Sequence, residues 1–189
     1  HFGVHGVLAG RSQIAFRRYT EMEFDRIYAE VDLGRIEENM KAMKEHLRPG
    51  TKMYGVVKTD AYGHGAVPVA RTIDRFVCGY AVATVDEGLK LRRHGIEKEI
   101  LSLGPVSAGR YQECLENDIS LPVFEYRRAK ELSDAAVAEG KTAKIHIAVD
   151  TGMSRIGLFP DEGSVEIVKE IAELPALRIA GMFTHFARA

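Results

Sequence analysis

Short apolar runs alternate regularly with longer amphipathic segments from Tyr54 to Thr184. The apolar runs, over residues 54–57, 79–84, 100–103, 121–124, 144–149 and 179–184, read as strands. The segments between them, 66–76, 86–94, 108–116, 127–139 and 161–174, read as helices. Strand and helix in strict turn imply a parallel sheet with right-handed crossovers, either open or closed into a barrel. No GxGxxG or GxxxxGK[ST] follows any strand, which counts against a doubly wound nucleotide-binding sheet. The expected fold class is therefore α/β, and if the sheet is a (β/α)8 TIM-type barrel, about six of its eight strands are present.

Ahead of the alternation, residues 27–31 alternate apolar and polar at period two and read as a further strand. Asp32 and Gly34 then mark a break. Ile36, Met40, Met43 and Leu47 follow at helical spacing, and that helix stops before Pro49 and Gly50. Residues 1–21 hold glycines, histidines and the basic trio Arg11, Arg17 and Arg18 without sustained periodicity, and they do not form a signal-peptide pattern. Met22 stands just before the first stretch that reads as folded. The expected division is an unassigned extension over 1–21, an N-terminal strand over 22–34, and the partial barrel over 35–189.

Composition narrows the partners. A formal charge of −1 provides no electrostatic footprint for nucleic acid or an anionic membrane. Apolar content of 46% with 28% charged residues suits a soluble globular domain that binds a small molecule. Cys78 and Cys114 form no CxxC or Cys/His metal pattern, which fits a reducing compartment and no metal site. No apolar run approaches the roughly 20 residues needed to span a bilayer. The expected location is the cytoplasm.

Chemistry concentrates in MYGVVKTDAYGHG, residues 53–65, where an apolar run ends on Lys58 and passes into a loop punctuated by Gly63 and Gly65. In parallel α/β folds the carboxyl ends of strands carry the chemistry. An amine held there among apolar neighbours can attack an aldehyde and hold it as an imine. Most lysines are instead solvated surface charges, so position alone does not decide.

The run VVKTDAYGHG resembles the lysine motif of alanine racemases, the fold-type III enzymes that use pyridoxal 5′-phosphate. Two further stretches resemble the same family: DTGMSRIG, residues 150–157, and THFA, residues 184–187. YAEVDLGRIEEN resembles the family's opening, in which the first strand joins a C-terminal β-domain. The resemblance implies a racemase interconverting L- and D-alanine, which supplies D-alanine for peptidoglycan, and a homodimer in the full-length protein. It implies that Lys58 is the catalytic lysine that anchors the cofactor, that Tyr62 reaches the cofactor phosphate, and that Arg155 holds the substrate carboxylate. His185 is implied in the network around the cofactor ring, and Asp60 and His64 in shaping the lysine loop. Two departures stand out. Ser154 replaces a common glycine, and Ala148 stands where the family often has a carbamylated lysine paired with the arginine. The family's second acid/base is a tyrosine of the partner subunit's C-terminal β-domain, so this chain alone is expected to be inactive. A serine or broad-specificity racemase shares these motifs, and a non-catalytic barrel protein that binds pyridoxal phosphate is the alternative from another class.

Overall fold

In the computed structural model, which describes residues 29–188, the first helix α1 (Leu33–His46) starts where Asp32 caps it. The Asp32 carboxylate accepts the N–H of Gly34 at 2.8 Å and of Arg35 at 3.1 Å, satisfying two donors that a helix start leaves without partners. The residues read as a break are thus a helix start, and Gly34 lies in the first turn. Ala29 to Asp32 carry no regular secondary structure. The remainder of the expected strand over 27–31, the extension over 1–21 and Met22 lie outside the described residues.

From there strand and helix alternate as the apolar periodicity requires. The strands are β1 (Tyr54–Val56), β2 (Gly79–Val82), β3 (Glu99–Ser102), β4 (Ile119–Val123), β5 (Ala143–Val149) and β6 (Leu177–Thr184). The helices between them are α2 (Ala66–Ile73), α3 (Val85–Arg93), α4 (Tyr111–Glu116), α5 (Tyr126–Ala138) and α6 (Glu162–Ala172). Short 3₁₀ turns extend α2 at Asp74–Phe76 and precede α4 at Ala108–Arg110.

All pairings are parallel, and the strand order is β1-β2-β3-β4-β5-β6. Each strand neighbours the next in sequence, with no reversal of direction across the sheet. A doubly wound sheet needs such a reversal, because that is how its helices reach both faces. An unbroken sequential order keeps every helix on the outside and is the wall of a barrel, here six strands of it.

Burial follows from that arrangement. β2 and β4 are buried at every residue, covered by helices on one side and by neighbouring inward side chains on the other. α5 buries Ala129, Leu132, Ser133 and Ala136, spaced to fall on one face, and Leu132 is 1% exposed. The one polar member of that face is satisfied: Ser133 Oγ donates to Pro175 O at 2.6 Å. β1 and β6, at the two ends of the strand order, are much more open. Val56 and Met182 are both exposed, and both lie along the concave face.

Candidate active site

Lys58 stands two residues beyond β1, after Val57, whose N–H donates to Ala81 O of β2 at 3.0 Å. The residues after it coil in the opposite sense to an ordinary helix. Thr59, Asp60, Ala61 and Tyr62 have φ between 53° and 55°. Four consecutive non-glycine residues in the left-handed region cost about 1–2 kcal/mol each, so the turn must be held from outside.

Several contacts hold it. Ala61 is buried and its N–H donates to Val57 O at 2.9 Å. The Asp60 carboxylate accepts the Ala66 N–H at 2.9 Å and the Lys90 ammonium at 2.8 Å, which holds its pKa below the ordinary carboxylate value. His64 Nδ1 donates to Ala61 O at 2.9 Å, because a carbonyl can only accept. From α3, Glu87 accepts the Thr59 N–H at 2.7 Å. Asp60 and His64 shape the loop, as the sequence suggested. Tyr62 is 62% exposed and is not among the residues lining the cavity described below; its ring lies 5.9 Å from Lys58 Nζ.

Arg155 is carried by the loop after β5. Asp150, 6% exposed, accepts the N–H groups of Ser154 at 3.0 Å and Gly152 at 2.9 Å, and these bonds lower its pKa. The loop returns to its own strand through Asp150 N–H to Leu158 O at 2.8 Å and Leu158 N–H to Ala148 O at 2.9 Å. That close return requires Gly157, whose φ is +124° and where a Cβ would fall 2.5 Å from the Asp150 nitrogen. Thr151 and Thr184 join this loop to the end of β6 by a 2.6 Å hydroxyl bond, and His185 follows directly.

Lys58, Arg155 and His185 line one cavity of about 860 Å³ on the concave side of the sheet. Ala148, 1% exposed, also lines it, and no carboxylate does. An amine, a guanidinium and an imidazole around an acid-free space suit a small anion bearing a carbonyl group. Pyridoxal 5′-phosphate and an amino-acid carboxylate both fit that donor set.

A second polar cluster, missed in the sequence, lies beside the cavity, to whose lining it contributes Tyr54 and His146. Glu99 at the start of β3 accepts hydrogen bonds from Tyr54 Oη, from Ser120 Oγ at 2.8 Å and from His146 Nε2 at 3.0 Å. Burial pushes the Glu99 carboxyl up, but the bonds from Tyr54, His146 and Ser120 outweigh it and hold the pKa at about 2. Burial and the bond to Glu99 push the Tyr54 phenol well above its ordinary value. The available signal was a histidine inside an apolar strand, in KIHIAV. Glu87 had a clearer one: Thr84 and Glu87 form the T-x-x-E capping box of α3, with both reciprocal bonds present.

Fold and site together define a lysine-bearing parallel barrel whose cationic groups gather beyond the carboxyl ends of its strands. A family model for the N-terminal domain of alanine racemase matches residues 31–189, and the chain belongs to that family. It is 48% identical over 164 residues to the alanine racemase of Clostridium novyi (strain NT), covering 86% of this chain and 42% of that protein. The alanine racemase of Clostridium difficile 630 in complex with cycloserine matches with a TM-score of 0.76 at 38% identity, over 81% of this chain and 42% of that one. The histidine racemase of Leuconostoc mesenteroides subsp. sake NBRC 102480 matches with a TM-score of 0.75 at 28% identity, over 82% of this chain and 42% of that one. The chain thus spans less than half the length of these relatives. Among the described residues no helix is long and apolar enough to cross a membrane, and no group of three or more His, Cys, Asp or Glu is placed to hold a metal ion.

Proposed function

We propose that this chain is the lysine-bearing part of a pyridoxal-phosphate-dependent alanine racemase. The observation that carries the reading is the convergence of Lys58, Arg155 and His185 on one acid-free cavity. When bound, pyridoxal 5′-phosphate supplies an electron sink for negative charge at the substrate α-carbon. The Lys58 amine would hold the cofactor covalently and, when free, would remove or return the substrate α-proton on one face. Arg155 pairs its planar fork with the substrate carboxylate and fixes which face Lys58 meets. His185 would orient groups around the cofactor ring, and the family resemblance gives the phosphate to Tyr62, which stands outside the residues lining the cavity. Inversion needs a second acid/base on the opposite face, which the family resemblance assigns to a tyrosine of the partner subunit in a homodimer; the composition is that of a cytoplasmic protein.

The histidine racemase among the similar structures favours one competing reading, a racemase for a larger amino acid. The test is turnover of alanine, serine and histidine by the full-length protein that contains this chain. The proposal expects alanine to be preferred and Lys58→Ala to abolish racemisation. Preference for another amino acid would replace the substrate, and turnover that survives Lys58→Ala would remove the lysine.

A further inference from the structure

We propose that Glu87 is a positioning residue that locks the left-handed turn presenting the Lys58 amine to the cavity. Its carboxylate is fully committed to the backbone of two different segments. Oε1 accepts the Thr59 N–H at 2.7 Å, while Oε2 accepts Ala83 N–H at 2.7 Å and Thr84 N–H at 3.3 Å. One side chain therefore ties the residue after Lys58 to the segment joining β2 and α3. A helix cap needs only the Thr84 side of this arrangement. The Thr59 bond is additional, and it falls at the first of the four left-handed residues.

The same helix grips the turn at a second point. Lys90, three residues after Glu87 and so on the same face of α3, donates to the Asp60 carboxylate at 2.8 Å. Residues 59 and 60 are thus held by an anion and a cation on adjacent turns of one helix. The Glu87 contact is the one a neutral side chain cannot copy. Three N–H donors point at its two oxygens, and glutamine has one oxygen and an amide that is itself a donor.

The inference rests on Lys58 being the covalent anchor, so the experiment separates the two. Three variants of the 189-residue chain, E87Q, T84A and K58A, are compared with wild type. T84A removes the side-chain cap of α3 but leaves both Glu87 oxygens on their backbone donors. One readout is amide hydrogen exchange of Ala61, Gly63 and Gly65, and the other is covalent capture of added pyridoxal 5′-phosphate followed by absorbance. E87Q is expected to speed exchange at those amides at least tenfold and to weaken capture about tenfold, the scale of one hydrogen bond to a charged group. T84A is expected to leave both within about twofold once exchange is corrected for global stability. If T84A matches E87Q in both readouts, Glu87 acts only as a cap and the proposal is overturned. Faster exchange with unchanged capture also overturns it. Capture that persists in K58A removes the lysine reading, and exchange alone then decides whether Glu87 locks the turn. Should E87Q not fold, E87D, which keeps the charge but is one methylene too short to reach both segments, is read by the same criteria.

Discussion

Replacing Glu99 by glutamine should lower the stability of this chain at neutral pH and remove a specific part of its acid sensitivity. The Glu99 carboxyl falls from an ordinary 4.5 to about 2 in the fold, held there by Tyr54, His146 and Ser120. A depressed carboxylate stabilises the fold at pH values above its unfolded pKa, and that contribution is lost as the pH falls toward the folded one. The shift corresponds to about 3 kcal/mol at pH 7, and because the side chain is 25% exposed, about 2–3 kcal/mol is the working figure. Glutamine offers one acceptor oxygen to three donors, so at least one of them loses its partner, a cost of similar size. Urea melts of wild type and Glu99→Gln across pH 7 to 2 measure both effects. In a thermal melt of a chain of this size the same loss should lower Tm by about 5–10 °C at pH 7. Asp60, Asp74 and Asp150 are also depressed, but they titrate in both proteins, so the diagnostic is the gap between the two curves. The gap should be constant above about pH 5 and close between pH 4.5 and 2. Parallel curves over that range would refute the assignment of Glu99 as the acceptor of these three bonds.

Other perturbations test separate parts of the structure. Gly157→Ala places a methyl 2.5 Å from the Asp150 nitrogen at a φ of +124°, and should destabilise by about 2 kcal/mol or more in a urea melt. Leu132→Ala should cost about 2–5 kcal/mol because its site on α5 is closed, whereas Val137→Ala, on the same helix but 54% exposed, should cost under about 0.5 kcal/mol. In the full-length protein, Arg155→Lys should raise KM for alanine by about tenfold to a hundredfold, because a point charge replaces a planar fork on the carboxylate.

The fold was legible in the sequence because its strands and helices announce themselves by period, and each expected strand and helix from Ile36 to Thr184 is present. Their ends moved where capping decided them. α1 begins at Leu33 because of Asp32, and α6 begins at Glu162 because Asp161 accepts the Ser164 N–H at 2.8 Å. The convergence of Lys58, Arg155 and His185 was legible because each lies at or beyond the carboxyl end of a strand in a distinctive motif. The left-handed turn was not. Thr59, Ala61 and Tyr62 have no local preference for that conformation, and partners that hold it, such as Glu87 and Lys90, are remote in sequence. The Glu99 network was hidden for the same reason: 47 residues separate Glu99 from His146, and only the parallel register brings them together.

One amine, Lys58, is proposed to capture the cofactor aldehyde, and incubating the chain with pyridoxal 5′-phosphate, reducing with borohydride and locating the adduct by peptide mass spectrometry shows whether it does. The adduct is expected on Lys58, at cofactor concentrations too low to label other lysines. Labelling spread evenly over the exposed lysines, with Lys58 no more modified than Lys41 or Lys52, would remove Lys58 as the anchor.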